Sequence, residues 1–319
     1  MLAEVLNHPT LLEKPPVLLD VGASGQLHTR WKRLAKYAIC IAFDGDTRDF
    51  AYSTTENKGY LKLHLYHALL AGKVQEKATF YLTASPHCSS LLPPDAEGLK
   101  FMAWADRFRV VEEVQMPTTD LPTALASLQL TYIDWFKTDS QGIDLQLFKS
   151  LPATVRENVL VTEMEPGIIN GYQGEDKLHE VLAYMHQQGH FWLADLQIKG
   201  SARIAKSTLE SATKRSFWQK LLMFSLPNSA DWGEMLYLHT LENQTPPTLR
   251  SLLLAWLFAM ELKQTGWAIH LAKRGQASFP DEPLFAKMTR YATSKLWGNI
   301  WRLRFLPALR TKLRKMMGG

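Results

Sequence analysis

Two short apolar runs joined through a glycine turn constrain this chain more than any other feature. Val17 to Val21 (VLLDV) is β-branched and leucine-rich and is closed by Gly22 and Gly25, the pattern of a strand buried on both faces of a parallel sheet. Ala38 to Phe43 (AICIAF) is a second such run, ending on Asp44 and Asp46. Between them, Gln26 to Lys36 carries Leu27, Trp31 and Leu34 at helical spacing with basic residues interleaved. That spacing predicts a helix whose N-terminus faces the glycine turn and accepts a polar or anionic ligand. Strand, glycine turn, helix and strand make half of a nucleotide-binding sheet.

The acidic tip of the second run stands roughly 20 residues past the glycine turn, where dinucleotide folds hold a ribose by its hydroxyls. A carboxylate only accepts hydrogen bonds and takes two from a vicinal diol. The dinucleotide fingerprint is incomplete, because after Gly22 its second and third glycine slots hold Ser24 and Leu27. That argues against a pyrophosphate and for S-adenosylmethionine, which has a ribose and an adenine without a phosphate. The candidate cofactor residues are Asp20, Gly22, Ser24, Gly25, Asp44 and Asp46. The bland alternative is a glycine turn followed by a capped core helix.

Met1 to Pro16 reads as a short lead-in. Thr47 to Gly59 reads as a polar helix or loop and Tyr60 to Ala71 as a third strand, which sets His67 at a strand end as an adenine-pocket residue or catalytic substitute, or else as a surface histidine. Ala78 to Ala84 is a β run followed by the loop SPHCSSLLPPD, whose His87, Ser89 and Ser90 are candidate substrate contacts. Arg109 to Met116 predicts a strand and Leu121 to Leu130 a helix. Ile133 to Thr138 predicts a further strand with Asp139 at its carboxyl end, a turn at Gly142, and an amphipathic helix from Ile143 to Leu151. Asp139 there suits a general base for a hydroxyl, or caps the helix. Asn158 to Met164 is a strand, with Glu163 and Glu165 at its end and Tyr172 in the loop beyond. Asp176 to Gln188 is a helix, and His190 to Ile198 closes the α/β part near Gly200.

Four pieces in order, LLDVGASGQ, IAFDGD, SPHCSSL and IDWFKTDSQGIDLQLFKSL, make the sequence resemble the FkbM family of S-adenosylmethionine-dependent methyltransferases over about residues 15 to 200. The resemblance implies a Rossmann-like class I methyltransferase sheet, mostly parallel with helices on both faces. It also implies S-adenosylmethionine as cofactor and methyl transfer to a hydroxyl of a sugar, glycan or polyketide-like acceptor, with Asp139 as base. The chain has Asp44-Gly45 where the family often has Glu-Pro, and Gln141 replaces the second acid of the family's Asp-x-Glu-Gly turn. Two other classes stay open: an NAD-dependent oxidoreductase on the same sheet, and a non-catalytic scaffold or membrane adaptor. Nucleic-acid methylation is disfavoured, since no motif for a flipped base and no basic-aromatic platform lies near the site.

An apolar share of 46% describes a globular chain with a full core. Cys40 and Cys88 give neither a disulfide framework nor metal-ligand spacing, which favours a reducing compartment, the cytoplasm. The N-terminal stretch has neither a basic leader nor a long apolar core, so no signal peptide is expected. The expected division is thus a lead-in over 1–16, a cofactor-binding domain over 17–200 and a helical extension over 201–319, which packs on the sheet or pairs with a second subunit. The formal charge is +5, and much of the excess lies beyond Lys287. Residues 297–319 carry an apolar stripe opposite arginines and lysines, the pattern of a helix on an anionic membrane face or of a docked helix with a solvated basic side.

Overall fold

The computed structural model describes residues 1–23, 28–46, 48, 59–242, 244 and 246–302. After two short helices, α1 (Leu2–Leu6) and α2 (Pro9–Glu13), the chain enters β1 (Val17–Val21), all of whose residues are buried. β2 (Ile39–Phe43) follows as expected. The helix expected over Gln26 to Lys36 does not form across the described part of that span. Thr29–Trp31 and Ala35–Tyr37 are single 3-10 turns instead. Tertiary packing overrides the periodicity: Trp31 is buried edge-on against Trp135, with ring centroids 5.9 Å apart. Ser24 and Gly25 lie outside the described residues, as does most of the Thr47 to Gly59 stretch.

The run Tyr60 to Ala71 makes two strands. β3 (Lys62–Tyr66) joins β2, whereas β4 (Leu69–Leu70) pairs in a second sheet with β6 (Val110–Thr119), which also pairs with β5 (Gln75–Thr83). The loop between β5 and β6 includes α3 (Ala96–Leu99). α4 (Leu121–Ser127) starts at Asp120, whose carboxylate accepts the Thr123 N–H at 2.8 Å as an N-cap. Then come β7 (Trp135–Thr138), α5 (Asp144–Ser150), α6 (Ala153–Arg156), β8 (Val161–Met164), α7 (Leu178–Gln188) and β9 (Phe191–Lys199).

The sheet does not close at Gly200. After α8 (Lys206–Ala212) and α9 (Ser216–Ser225), β10 (Trp232–His239) inserts between β8 and β9, antiparallel to both. Its residues fall in a stretch whose tryptophans and leucines suggested helix. Strand pairing wins because Met235 to His239 are buried without a break, as in a strand covered on both faces. The seven-stranded sheet runs β3-β2-β1-β7-β8-β10-β9, and the pairs from β3 to β8 are all parallel. Alternate residues Val17, Leu19 and Val21 share one core with Phe136 of β7 and with α4, α5 and α7, including Phe148 and Met185. Cys40 is buried within β2.

The described chain divides into a unit spanning Pro15–Thr240 and a second one that joins Met1–Lys14 to the described residues from Leu241 onward. The lead-in therefore belongs with the C-terminal helices rather than standing alone. In that second unit, α10 (Leu249–Glu261) buries Ser251 through Ala259 without interruption. α11 (Thr265–Ser278) meets α12 (Leu284–Arg302) at Gly275, where a Cβ would stand 2.3 Å from the ring of buried Phe285. Among the described residues no helix is long and apolar enough to cross a membrane. Residues 303–319, most of the expected amphipathic tail, lie outside them.

Candidate active site

The carboxyl ends of β1, β2 and β7 meet where the strand order reverses, the place where open α/β sheets bind ligands. Main-chain hydrogen bonds stitch these ends together. Asp139 N–H donates to the Val21 carbonyl at 3.0 Å, Gly22 N–H to Phe43 at 3.0 Å and Asp44 N–H to Tyr66 at 3.1 Å. Gly22 has φ +75°, and a Cβ there would stand 2.2 Å from the Asp139 carbonyl oxygen. The glycine thus answers a close approach of Asp139's own backbone.

A cavity of about 130 Å³ opens at this edge. Asp44, Asp46 and Asp139 line it together with Phe43, Leu69 and Phe80, and among the described residues lining it none is lysine or arginine. Asp44 accepts the Asp46 N–H at 2.9 Å. Asp46 is engaged by Arg48, with Nε at 2.9 Å and Nη2 at 2.5 Å. Burial opposes its charge, but the hydrogen bonds of Arg48 and Ser89 hold its carboxyl below the usual range. The Ser89 hydroxyl oxygen accepts from Arg48 Nη2 at 2.9 Å and from Thr83 N–H at 3.1 Å.

A second cavity of about 870 Å³ is lined by Trp104, Phe108, Tyr172, Glu165 and Trp232 and by one side of α9. His87, Asp139 and Gln141 line both cavities, so Asp139 stands where the two meet. Its surroundings are built by the turn that follows β7. Gln141 adopts φ 58°, in the left-handed region, and Gly142 φ 115°. Ser90 Oγ donates to the Gln141 carbonyl at 2.7 Å. Asp144 ties the turn to the end of β8, accepting from Thr138 Oγ1 at 3.0 Å, Ser140 N–H at 2.9 Å and Glu165 N–H at 2.7 Å.

Gln141 links Asp139 to Tyr172. Its Nε2 donates to Asp139 Oδ1 at 2.5 Å, and its Oε1 accepts from the Tyr172 hydroxyl at 2.8 Å. A glutamate at 141 would lack the donor for Asp139. Burial pushes the Asp139 carboxyl up to about 6, against Lys137 and with help from Asp144. Burial also pushes Glu165 up to about 9, with Asp139 and Asp144 adding to the effect. At neutral pH the edge therefore presents one ionised carboxylate and one protonated carboxyl, a hydrogen-bond acceptor beside a donor.

Several expected site residues lie elsewhere. Asp20 pairs with Lys137 at 2.8 Å across β1 and β7 and lines neither cavity. Burial works against the Lys137 charge, but Asp20 and Asp139 hold the ammonium above its usual range. His67 is exposed and lines neither cavity, because the strand breaks there and its neighbours Ala68 and Leu69 point to the site instead. Glu163 accepts from Trp135 Nε1 at 2.8 Å and pairs with Arg30, also away from both cavities. Ser90 supports the Gln141 turn from a buried position. Glu165 and Gln141 take the places expected of Glu163 and a second acid. The signal for Glu165 was its position just past the end of β8 rather than within it.

No protein-family model, curated protein or solved structure matches this chain. Chemically the geometry offers an apolar, acid-walled pocket that meets a larger aromatic one at a base of raised basicity. Among the described residues no group of three or more His, Cys, Asp or Glu side chains is arranged to hold a metal ion.

Proposed function

We propose that the protein is an S-adenosylmethionine-dependent O-methyltransferase, with the smaller cavity holding the cofactor and the larger one a hydroxyl acceptor such as a sugar or glycan. The observation that carries this reading is Asp139, a carboxylate shared by both cavities and raised to about 6. A base poised near neutral pH between two pockets is what hydroxyl deprotonation requires.

The lining of the smaller cavity suits the cofactor by its chemistry. Three carboxylates and no lysine or arginine among its described lining residues suit a ligand with a sulfonium charge and a ribose diol, and oppose a pyrophosphate. Phe43, Leu69 and Phe80 offer an apolar wall for a purine. The sheet order supports the same reading. It follows the doubly wound order through its first five strands and departs from the six-stranded dinucleotide order by the antiparallel β10 next to β9, as expected of the class I methyltransferase sheet that the sequence resembles.

When bound, the cofactor supplies an activated methyl group. The chain's residues do the rest. Asp44 accepts hydrogen bonds from the ribose hydroxyls, and the aromatic wall of Trp104, Phe108 and Tyr172 orients the acceptor. Asp139 Oδ takes the hydroxyl proton while Gln141 holds the carboxylate in place, and protonated Glu165 donates a hydrogen bond to an acceptor oxygen. Cys40 and Cys88, both buried and unpaired, suit a reducing compartment, and we assign the protein to the cytoplasm.

Calorimetric titration with S-adenosylmethionine and S-adenosylhomocysteine, with NAD as control, tests the reading. Tight binding of the sulfur ligands and roughly 10- to 100-fold weakening in Asp44→Ala are expected, the scale of a lost charge-assisted hydrogen bond. Absence of binding to folded protein would leave the scaffold reading. Binding of NAD alone would favour the oxidoreductase.

A further inference from the structure

Between β9 and β10 the chain makes an excursion that carries α8 and α9. α9 (SFWQKLLMFS) has ten residues and buries none of them. Phe217, Trp218, Leu221, Leu222 and Phe224 are 41 to 77% exposed. A surface helix ordinarily lays its apolar stripe on its own domain. Here Ser216, Gln219, Lys220 and Met223 line the larger cavity, while Phe217, Leu221 and Phe224 repeat at helical spacing on a separate face.

Charge selects the occupant of that face. From Ser211 to Ala230 the chain has Lys214, Arg215 and Lys220 and no acid, and all three cations are exposed. A helix with phenylalanine, tryptophan and leucine on one side and cations beside them lies in the interface of an anionic bilayer, its rings entering the acyl boundary and its cations meeting the headgroups. A second copy of the chain is a poorer occupant. A two-fold interface brings the same patch against itself, and three cations would face three cations.

We propose that α9 docks the protein on an anionic lipid surface. A consequence for the acceptor rests on the methyltransferase reading above: the cavity that α9 lines then opens beside the bilayer, and the hydroxyl it receives belongs to an amphiphile carried in that surface.

The test is flotation of the full chain with vesicles of phosphatidylcholine and phosphatidylglycerol, and with vesicles of phosphatidylcholine alone. Wild type is expected to float with the anionic vesicles only. Joint Phe217→Ser, Trp218→Ser and Phe224→Ser substitution is expected to lower the bound fraction at least ~10-fold, and joint Lys214→Glu and Arg215→Glu substitution to do the same. Calorimetry with S-adenosylmethionine on each variant shows that the fold is intact and separates the two readings. Flotation lost with cofactor binding kept supports the docking helix. A wild type that binds cofactor but does not float overturns the docking and leaves the methyltransferase reading standing. A wild type that floats without binding cofactor overturns the methyltransferase reading and the consequence for the acceptor, and leaves the docking standing. Flotation that survives the serine variant but is lost on deleting residues 303–319 overturns the docking by α9 in favour of the tail. A wild-type dimer in sedimentation that the serine variant splits, without vesicle binding, overturns it in favour of a second copy.

Discussion

At the scale of the residue, Asp139 and its partners form a small titrating system. Asp139 must be ionised to act as a base, so turnover is expected to rise with pH through about 6, and to fall again as Glu165 loses its proton near 9. Asp139→Asn is expected to lower kcat about 100-fold or more. Unchanged turnover in this variant would remove the base. Gln141→Glu replaces the amide donor by a second carboxylate, which removes a hydrogen bond to the ionised form of Asp139 and adds a like charge beside it. Both effects raise the Asp139 pKa, so the rising limb of the pH profile is expected to move to higher pH. A limb that stays in place would show that Gln141 does not set the base. Glu165 leaves a different trace, in stability. Its carboxyl is raised from 4.5 in the free side chain to about 9 in the fold, so the fold binds the proton more tightly than the unfolded chain does. That contribution is fully present below pH 4.5 and is lost as pH rises through about 9. Melting temperatures across this window should fall less steeply for Glu165→Gln than for wild type.

At the scale of the element, what a run of residues shows about itself was legible, and what depends on distant partners was not. β1, β2, β7 and β8 stand out as short apolar runs because each is buried on both faces, and Asp44 and Asp139 follow directly because they sit at strand ends. β10 escaped because Gly233 and Glu234 interrupt its apolar run near the start, and the strand it pairs with, β9, lies some 30 residues upstream. The helix expected after Gly22 failed for a related reason, since Trp31 takes its place from Trp135 rather than from its own turn. The same holds for the site. Glu163 and Glu165 are indistinguishable by type, and only the end of β8 separates the one beside Arg30 from the one beside Asp139. Gly22 is where an element depends on a single hydrogen atom. Gly22→Ala combines a left-handed backbone with a Cβ 2.2 Å from the Asp139 carbonyl and is expected to cost at least ~2 kcal/mol in urea unfolding. A smaller loss would mean that the β1 and β7 ends move apart without consequence.

At the scale of the whole molecule, the two cavities and the helical mass belong to different units: every lining residue of both cavities falls within Pro15–Thr240. Gly275→Val pushes a branched side chain into the ring of Phe285 and is expected to destabilise the helical unit by ~1–3 kcal/mol, the scale of overpacking. Cofactor affinity measured well below the melting range should be untouched, and a parallel loss of affinity would show the two units to be energetically coupled. Cys40 offers a way to follow the other unit as it breathes. Its thiol, pushed up to about 12 by burial in β2, stays protonated and out of reach of alkylating reagents while the strand is seated between its neighbours. Each alkylation event therefore records one opening of the sheet beside the acid-walled cavity, and a ligand seated there should slow that clock in proportion to its occupancy.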